Sequence, residues 1–209
     1  MKKLLFLFVL FVNLLCYSQK QIFESPQLTS TIKLHKTVAI LPFKVKISYK
    51  KQPKNFDAAA NRELEVSRSK SIQSSMYTFL LRKRENFTVD FQDVEKTNIL
   101  LKKAGVSDKL DEMTKDEVAK ILGVDAVLGG MYEAEQTRTE AGAIVTAVLF
   151  GGLGGKTGSD SLTLTLNNGA DGELLWRFFK TMSQDLMSST DDIVDSMMRK
   201  VSRNFPYTK

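Results

Sequence analysis

Segments of strand length alternate with segments of helical periodicity along most of this 209-residue chain. The run "VAILPF" at 38–43 has the apolar content of a strand buried on both faces. A helix is predicted from about 61 to 85, where Ile72, Met76 and Phe79 form one apolar stripe. Because interleaved strands and helices bury their apolar sides against each other, the pattern predicts an α/β (α+β) domain with a sheet covered by helices.

Two shorter helices are marked by the residues at their ends. Asp93 suits the start of the segment "VEKTNILLKKAG", and Gly105 suits its end. In "TKDEVAKILG", Thr114 and Glu117 have the spacing of a capping box, and Gly123 follows the last turn. These signals predict two consecutive helices with a strand on either side.

Strand signals dominate the second half of the chain. The segment "VDAVLGGMYEAE" predicts a strand in which Gly129-Gly130 lets another group come close. Alternation at 162–166 and in "ELLWRFFKT", on either side of "NNGADG", predicts a hairpin, and "TDDIVDSMMRKVSRNF" predicts a last amphipathic helix. The predicted order is β-α-β-α-α-β-insertion-β-β-α, and the hairpin makes the sheet mixed.

The first residues, 1–18, have the layout of a secretory signal peptide. Two lysines precede an apolar run from Leu4 to Leu15, which is shorter than the ~20 residues of a membrane span. Small residues stand before a predicted cleavage that leaves Gln19 first. The bulky Leu15 does not suit lipidation of the adjacent Cys16. We therefore expect an exported protein without a lipid anchor.

The remainder is predicted to be a polar leader at 19–35 and a single domain at 36–209 with an apolar, glycine-rich insertion at 137–160. Cys16 is the only cysteine and leaves with the signal, so the fold must rest on its hydrophobic core. The formal net charge of +6 is spread along the chain. A polyanion-binding module therefore stays open as an alternative function.

Residues suited to catalysis are few. His35 is the only histidine, and neither an H-E-x-x-H nor a G-x-S-x-G motif occurs. The acid pairs Asp111-Glu112 and Asp191-Asp192 lie near predicted helix starts, where the helix dipole accounts for them. The sequence thus predicts no catalytic residue, no metal site and no cofactor.

The glycine-rich stretch "LFGGLGGKTG" at 149–158 partly matches a nucleotide-binding P-loop. Gly155, Lys156 and Thr157 fit the pattern G-x-x-x-x-G-K-[ST], but Phe150 stands where the first glycine is needed. A predicted strand follows, instead of the helix whose N-terminus would face the phosphates. A flexible connection is favoured, and a nucleotide-binding protein using the Lys156 loop is the alternative.

The same stretch belongs to a long uncharged segment at 141–155. As a helix it would place small residues on one side and large apolar residues on the other. Two interpretations stay open: a loop packed on the protein's own core, or a surface for self-association or peripheral membrane contact. Trp176 of the hairpin is likewise either a core residue or part of a recognition face. The candidate interaction residues are Ala143, Val145, Ala147, Val148, Leu149, Phe150, Gly151, Leu153, Gly155 and Trp176.

Three short motifs resemble those of the CsgG/LpoB-like superfamily of bacterial envelope proteins. They are an apolar strand ending in Pro-Phe, a helix–Gly–strand unit and a late hairpin, carried here by Leu41, Pro42 and Phe43, by Leu122, Gly123, Asp125 and Gly129, and by Gly172, Glu173 and Trp176. The resemblance covers about 36–205 and implies a three-layer domain that acts by contact.

The resemblance further implies a non-enzymatic accessory protein in outer-membrane or periplasmic assembly, secretion or cell-wall regulation. Its expected location is the periplasm or the periplasmic face of the outer membrane. Its expected partners are envelope proteins, or a second copy of itself, with no nucleic acid.

Overall fold

The computed structural model describes residues 20–136, 158–184 and 190–209. Its strands are β1 (Lys20–Glu24), β2 (Thr37–Ile40), β3 (Lys44–Tyr49), β4 (Asp90–Phe91), β5 (Ala126–Gln136), β6 (Gly158–Asn168) and β7 (Leu174–Gln184). Its helices are α1 (Leu28–Ile32), α2 (Ala58–Arg82), α3 (Val94–Lys103), α4 (Lys115–Leu122) and α5 (Thr190–Val201).

The strands form one mixed sheet in the order β1-β7-β6-β5-β2-β4, with β3 also beside β5. The pairs β2–β4, β2–β5 and β3–β5 are parallel. The pairs β5–β6, β6–β7 and β1–β7 are antiparallel. The predicted mixed sheet is therefore confirmed, and it has a parallel half and an antiparallel half joined at β5.

Successive strand residues point to opposite faces of the sheet, and helices pack against each face. Ile40 of β2 packs in a large cluster with Ile72 of α2, and α5 contributes to the same cluster. The preceding residue, Ala39, packs in a smaller cluster with Leu101 of α3 and Val118 of α4. The predicted three-layer α/β arrangement is confirmed.

The predicted helix ends are confirmed by their hydrogen bonds. The Asp93 carboxylate accepts from the Lys96 N–H at 2.9 Å. Glu117 accepts from the Thr114 N–H at 3.0 Å and completes a capping box. Gly123 has a φ of 64°, a left-handed conformation that glycine adopts without the steric cost of a Cβ atom.

Pro42 follows the end of β2, as the strand end predicted at this proline requires. The sequence reading missed β3, which begins at Lys44 and, like β2, pairs with β5. The adjacent Phe43 places its ring where a Cβ atom on Gly130 would lie. The close approach predicted for the glycine pair is thus confirmed at Gly130.

The predicted polar leader belongs to the folded domain. β1 pairs with β7 along its whole length, and α1 follows it. Leu28 and His35 are buried. The sequence of β1 gives no strong strand signal of its own. The strand depends on pairing with β7, which lies some 150 residues later in the chain.

Candidate functional site

The antiparallel half of the sheet has one face that the smaller helical cluster does not reach. In the described part of the chain, that cluster contains residues of β2, β5, α3 and α4 but none of β6, β7 or β1. We call this surface the open face and define it by Phe23, Met131, Thr163, Thr165, Arg177 and Phe179, which share one side of the paired strands.

The strand register brings aromatic, cationic and hydroxyl side chains together on the open face. Phe23 lies opposite Arg177, and Phe179 lies opposite Thr163. Phe23 is 48% exposed, which is unusual for a large apolar side chain. Arg177 is also exposed, and Phe179 is half-buried. Aromatic and arginine side chains of this kind are enriched at protein–protein interfaces.

Trp176 lies on the other side of β7, so the predicted contact surface is corrected at this residue. Its side chain is fully buried, with ring centroids 6.0 Å from Phe178 and 5.9 Å from Phe205. The core alternative for Trp176 is therefore confirmed. Alternation along β7 turns Arg177 and Phe179 to the open face instead. The sequence "WRFF" carried this signal, but it does not say which side the helices cover.

The other predicted contact residues, at 143–155, lie outside the described residues, as do Lys156 and the predicted signal peptide. The insertion surface, the nucleotide-binding alternative and the export signal therefore stay predictions. Among the helices that the structure describes, none combines the length and the apolar character needed to cross a membrane.

A buried polar cluster at one end of the sheet holds His35. Its Nδ1 lies 2.6 Å from the Tyr207 hydroxyl, and its Nε2 lies 3.2 Å from Asn168 Oδ1. Because the amide oxygen only accepts, Nε2 carries the proton and the Tyr207 hydroxyl donates to Nδ1. Burial, and then the nearby Asp125 charge, raise the pKa of Tyr207 and keep it a donor. Both ring nitrogens of His35 are thus occupied within the fold.

Asp125, a residue of the family-like motif, ties three segments together. Its carboxylate accepts from the Lys36 and Thr37 N–H groups at 2.8 Å each, and its carbonyl accepts from the Gly169 N–H at 2.7 Å. Burial pushes the pKa of Asp125 upward, but the two backbone hydrogen bonds and neighbouring positive charge together outweigh it, so the pKa is lowered. The motif position is structural: it joins the start of β2 to the hairpin turn.

A buried acid, Asp160, lies on the core side of the sheet, opposite the open face. Asp160 accepts a hydrogen bond from the Tyr132 hydroxyl. Burial raises the pKa of Asp160, while the Tyr132 hydrogen bond and the charge of Arg68 act against the rise. A raised carboxyl pKa is a frequent property of catalytic acids. Asp160 and Tyr132 are only 5% and 3% exposed, however, so a substrate has no access to them.

Of the two acid pairs, the structure describes the side chains of Asp111-Glu112 only. Asp111 forms an exposed ion pair with Lys44 at 2.7 Å. The Asp191 and Asp192 side chains lie outside the described residues. Across the described ranges, the structure brings no three His, Cys, Asp or Glu side chains together in a metal-binding group.

Comparison with known proteins gives structural likenesses at low sequence identity. No family model matches the chain, and no curated protein matches it. The structure is similar to that of lipoprotein GNA1162 from Neisseria meningitidis, with a TM-score of 0.48 and 12% identity over 80% of this chain and 96% of that one.

Two further solved structures show the same low identity. The PelC dodecamer from Paraburkholderia phytofirmans has a TM-score of 0.44 and 16% identity, over 91% of this chain and 99% of that one. The LpoB C-terminal domain from Salmonella enterica has a TM-score of 0.36 and 13% identity, over 76% of this chain and 94% of that one. With identities and TM-scores this low, membership of the CsgG/LpoB-like superfamily stays a prediction.

Proposed function

We propose that this chain is an exported, non-enzymatic accessory protein of the bacterial envelope that binds another envelope protein through the open face. One observation carries the proposal: Phe23, Arg177 and Phe179 share a sheet face that no described helix covers, while the opposite face of the same strands is closed by helices. A combination of aromatic rings and a guanidinium group suits a protein partner.

The hydrogen bonding of three titratable residues supports contact over catalysis. His35, Asp125 and Asp160 are each bound by side-chain or backbone groups of the fold. A catalytic group has to meet its substrate in an accessible cleft. These three residues are instead used to join chain segments, so they support a stable platform that displays a surface.

Two features of the sequence support the envelope as the location. The first 18 residues have the charge, apolar length and small residues of an export signal. The motif resemblance to the CsgG/LpoB-like superfamily supports a role in assembly, secretion or cell-wall regulation. Which of these roles the chain performs depends on the partner that the open face binds.

Site-specific crosslinking in intact cells tests the proposal. A photoreactive amino acid at Phe179 is expected to give a discrete adduct with one envelope protein. The matched control carries the same probe at Lys70, which is exposed on α2 on the opposite side of the sheet. The proposal fails if the folded Phe179 variant gives no adduct with another protein, or if both positions give the same adducts.

A further inference from the structure

β1 is an outer strand of the sheet with one edge turned away from β7. The Ser25 N–H donates to the Leu175 carbonyl at 2.8 Å, which shows that the backbone groups of Ser25 point toward β7. Antiparallel pairing alternates, so Phe23 also points inward, whereas the N–H and C=O groups of Ile22 and Glu24 point outward. No strand among the described residues pairs with this outward edge.

The outer edge of β3, in contrast, is hydrogen-bonded to side chains of a helix. The outward N–H of Ile47 donates to Glu65 at 2.8 Å, and the Ile47 carbonyl accepts from the Asn61 side chain at 3.3 Å. Both partners belong to α2. Exposed Lys44 and Lys46 also discourage pairing with another strand. β3 is therefore a blocked edge, whereas the described residues give β1 no equivalent cover.

The sequence of β1 complements itself. We propose that β1 pairs with β1 of a second copy of this chain, antiparallel, across a two-fold axis at Ile22. In this register residue 20, a lysine, stands opposite Glu24, and Gln21 stands opposite Phe23. Opposite formal charges therefore meet at both ends of the pair, and the two-fold symmetry closes the interface.

The side chains on both faces of β1 fit this pairing. Ile22 is partly buried and packs at the margin of the large core cluster, so two opposed Ile22 side chains make the cores of the copies continuous. Phe23, 48% exposed, gains a diagonal neighbour in the Phe23 of the other copy. The inference shares Phe23 with the open face, but it rests on the backbone edge of β1 and is tested by self-association, so it can fail while the proposed function stands.

A proline substitution tests the pairing in the purified exported chain. Ile22→Pro removes an N–H that points outward, so the β1–β7 ladder is kept while the β1–β1 ladder is broken. We expect the dimer dissociation constant, measured by analytical ultracentrifugation, to rise about tenfold or more, as loss of ~1.4 kcal/mol requires. Ile22→Val is the matched control and is expected to dimerise as the parent does.

A charge exchange tests the register and does not depend on whether the proline variant folds. Lys20→Glu alone and Glu24→Lys alone each place like charges opposite one another, and each is expected to weaken self-association. Mixing the two variants restores both opposite-charge pairs, so a 1:1 heterodimer is expected. The inference is overturned if the parent is monomeric at its highest soluble concentration, or if mixing does not restore association.

Discussion

The two faces of the antiparallel half of the sheet differ although the same strands build both. On β7, Trp176 and Phe178 face α2 and α5 and are 0% and 1% exposed, whereas the adjacent Arg177 is exposed to solvent. One face is thus committed to stability, and the other is available for contact. Adjacent residues of one strand can therefore have opposite roles. Substitutions on the core face should lower the free energy of unfolding, whereas substitutions on the open face should weaken binding.

Substitution of Trp176 should have the largest effect on stability. Trp176→Ala removes the largest of the fully buried side chains and leaves a cavity, so we expect a loss of about 3–5 kcal/mol in the free energy of unfolding. Urea denaturation measures it. Trp176→Phe should cost much less, because the indole N–H has no hydrogen-bond partner in the described residues. Equal losses for the two variants would contradict the assignment of Trp176 to the core.

The glycine pair on β5 gives a second test of the two faces. Gly130→Ala would force a Cβ atom into the Phe43 ring on the core side, with an expected cost of about 1–3 kcal/mol. Gly129→Ala is the matched control, because its Cβ atom meets only Thr165 Oγ1, at 3.3 Å on the open face. Thermal unfolding of both variants measures the two losses in stability. A larger loss for Gly129→Ala than for Gly130→Ala would contradict the assignment of Gly130 to the closely packed core face.

The Asp125 carboxylate should contribute stability at neutral pH. Its folded-state pKa is lowered, so its contribution is present above the unfolded carboxyl pKa and is lost as the pH falls through the folded value. Because Asp125 is exposed, we expect Asp125→Asn to cost only about 1 kcal/mol at pH 7. Urea denaturation should show this difference shrinking toward acidic pH.

Asp160 should show the opposite pH dependence and a smaller effect. Its folded-state pKa is raised by burial, so its contribution is full below the unfolded carboxyl pKa and is lost as the pH rises through the folded value. Asp160→Asn keeps an acceptor for the Tyr132 hydroxyl. As the pH is raised from acidic to neutral, the free energy of unfolding of the variant should therefore increase relative to that of the parent. For Asp125→Asn, the stability of the variant should instead fall relative to the parent as the pH rises. The same trend for Asp160→Asn would contradict the buried environment of Asp160.

Local signals explain which parts of the fold the sequence predicts. Thr114, Glu117 and Gly123 act within one or two helical turns, so their caps are visible in the sequence. β3 was missed although Val45 and Ile47 alternate with exposed residues, because its partner is the distant β5. A strand stabilised by a non-local partner is not marked by propensity alone.

The candidate site was less predictable than the fold for a related reason. The alternation of Trp176, Arg177 and Phe179 shows that they divide between two faces, but it does not show which face is closed. That choice depends on α2 and α5, whose packing brings residues such as Ile72 and Met197 into one cluster. The sequence therefore identified the strand but left Trp176 open between the core and a recognition face, and the structure places it in the core.

The proposal that the open face binds another envelope protein is tested most directly by the accessibility of this face in the cell. With Cys16 replaced by Ser, Thr163→Cys places a single thiol on the open face, and Glu63→Cys places one on exposed α2 as the control. Maleimide labelling rates are compared between intact cell envelopes and the purified chain. We predict that labelling at 163 is several-fold slower in the envelope while labelling at 63 is unchanged. Equal labelling rates at 163 in both preparations would contradict the proposed binding, because the open face would then have no partner in the envelope.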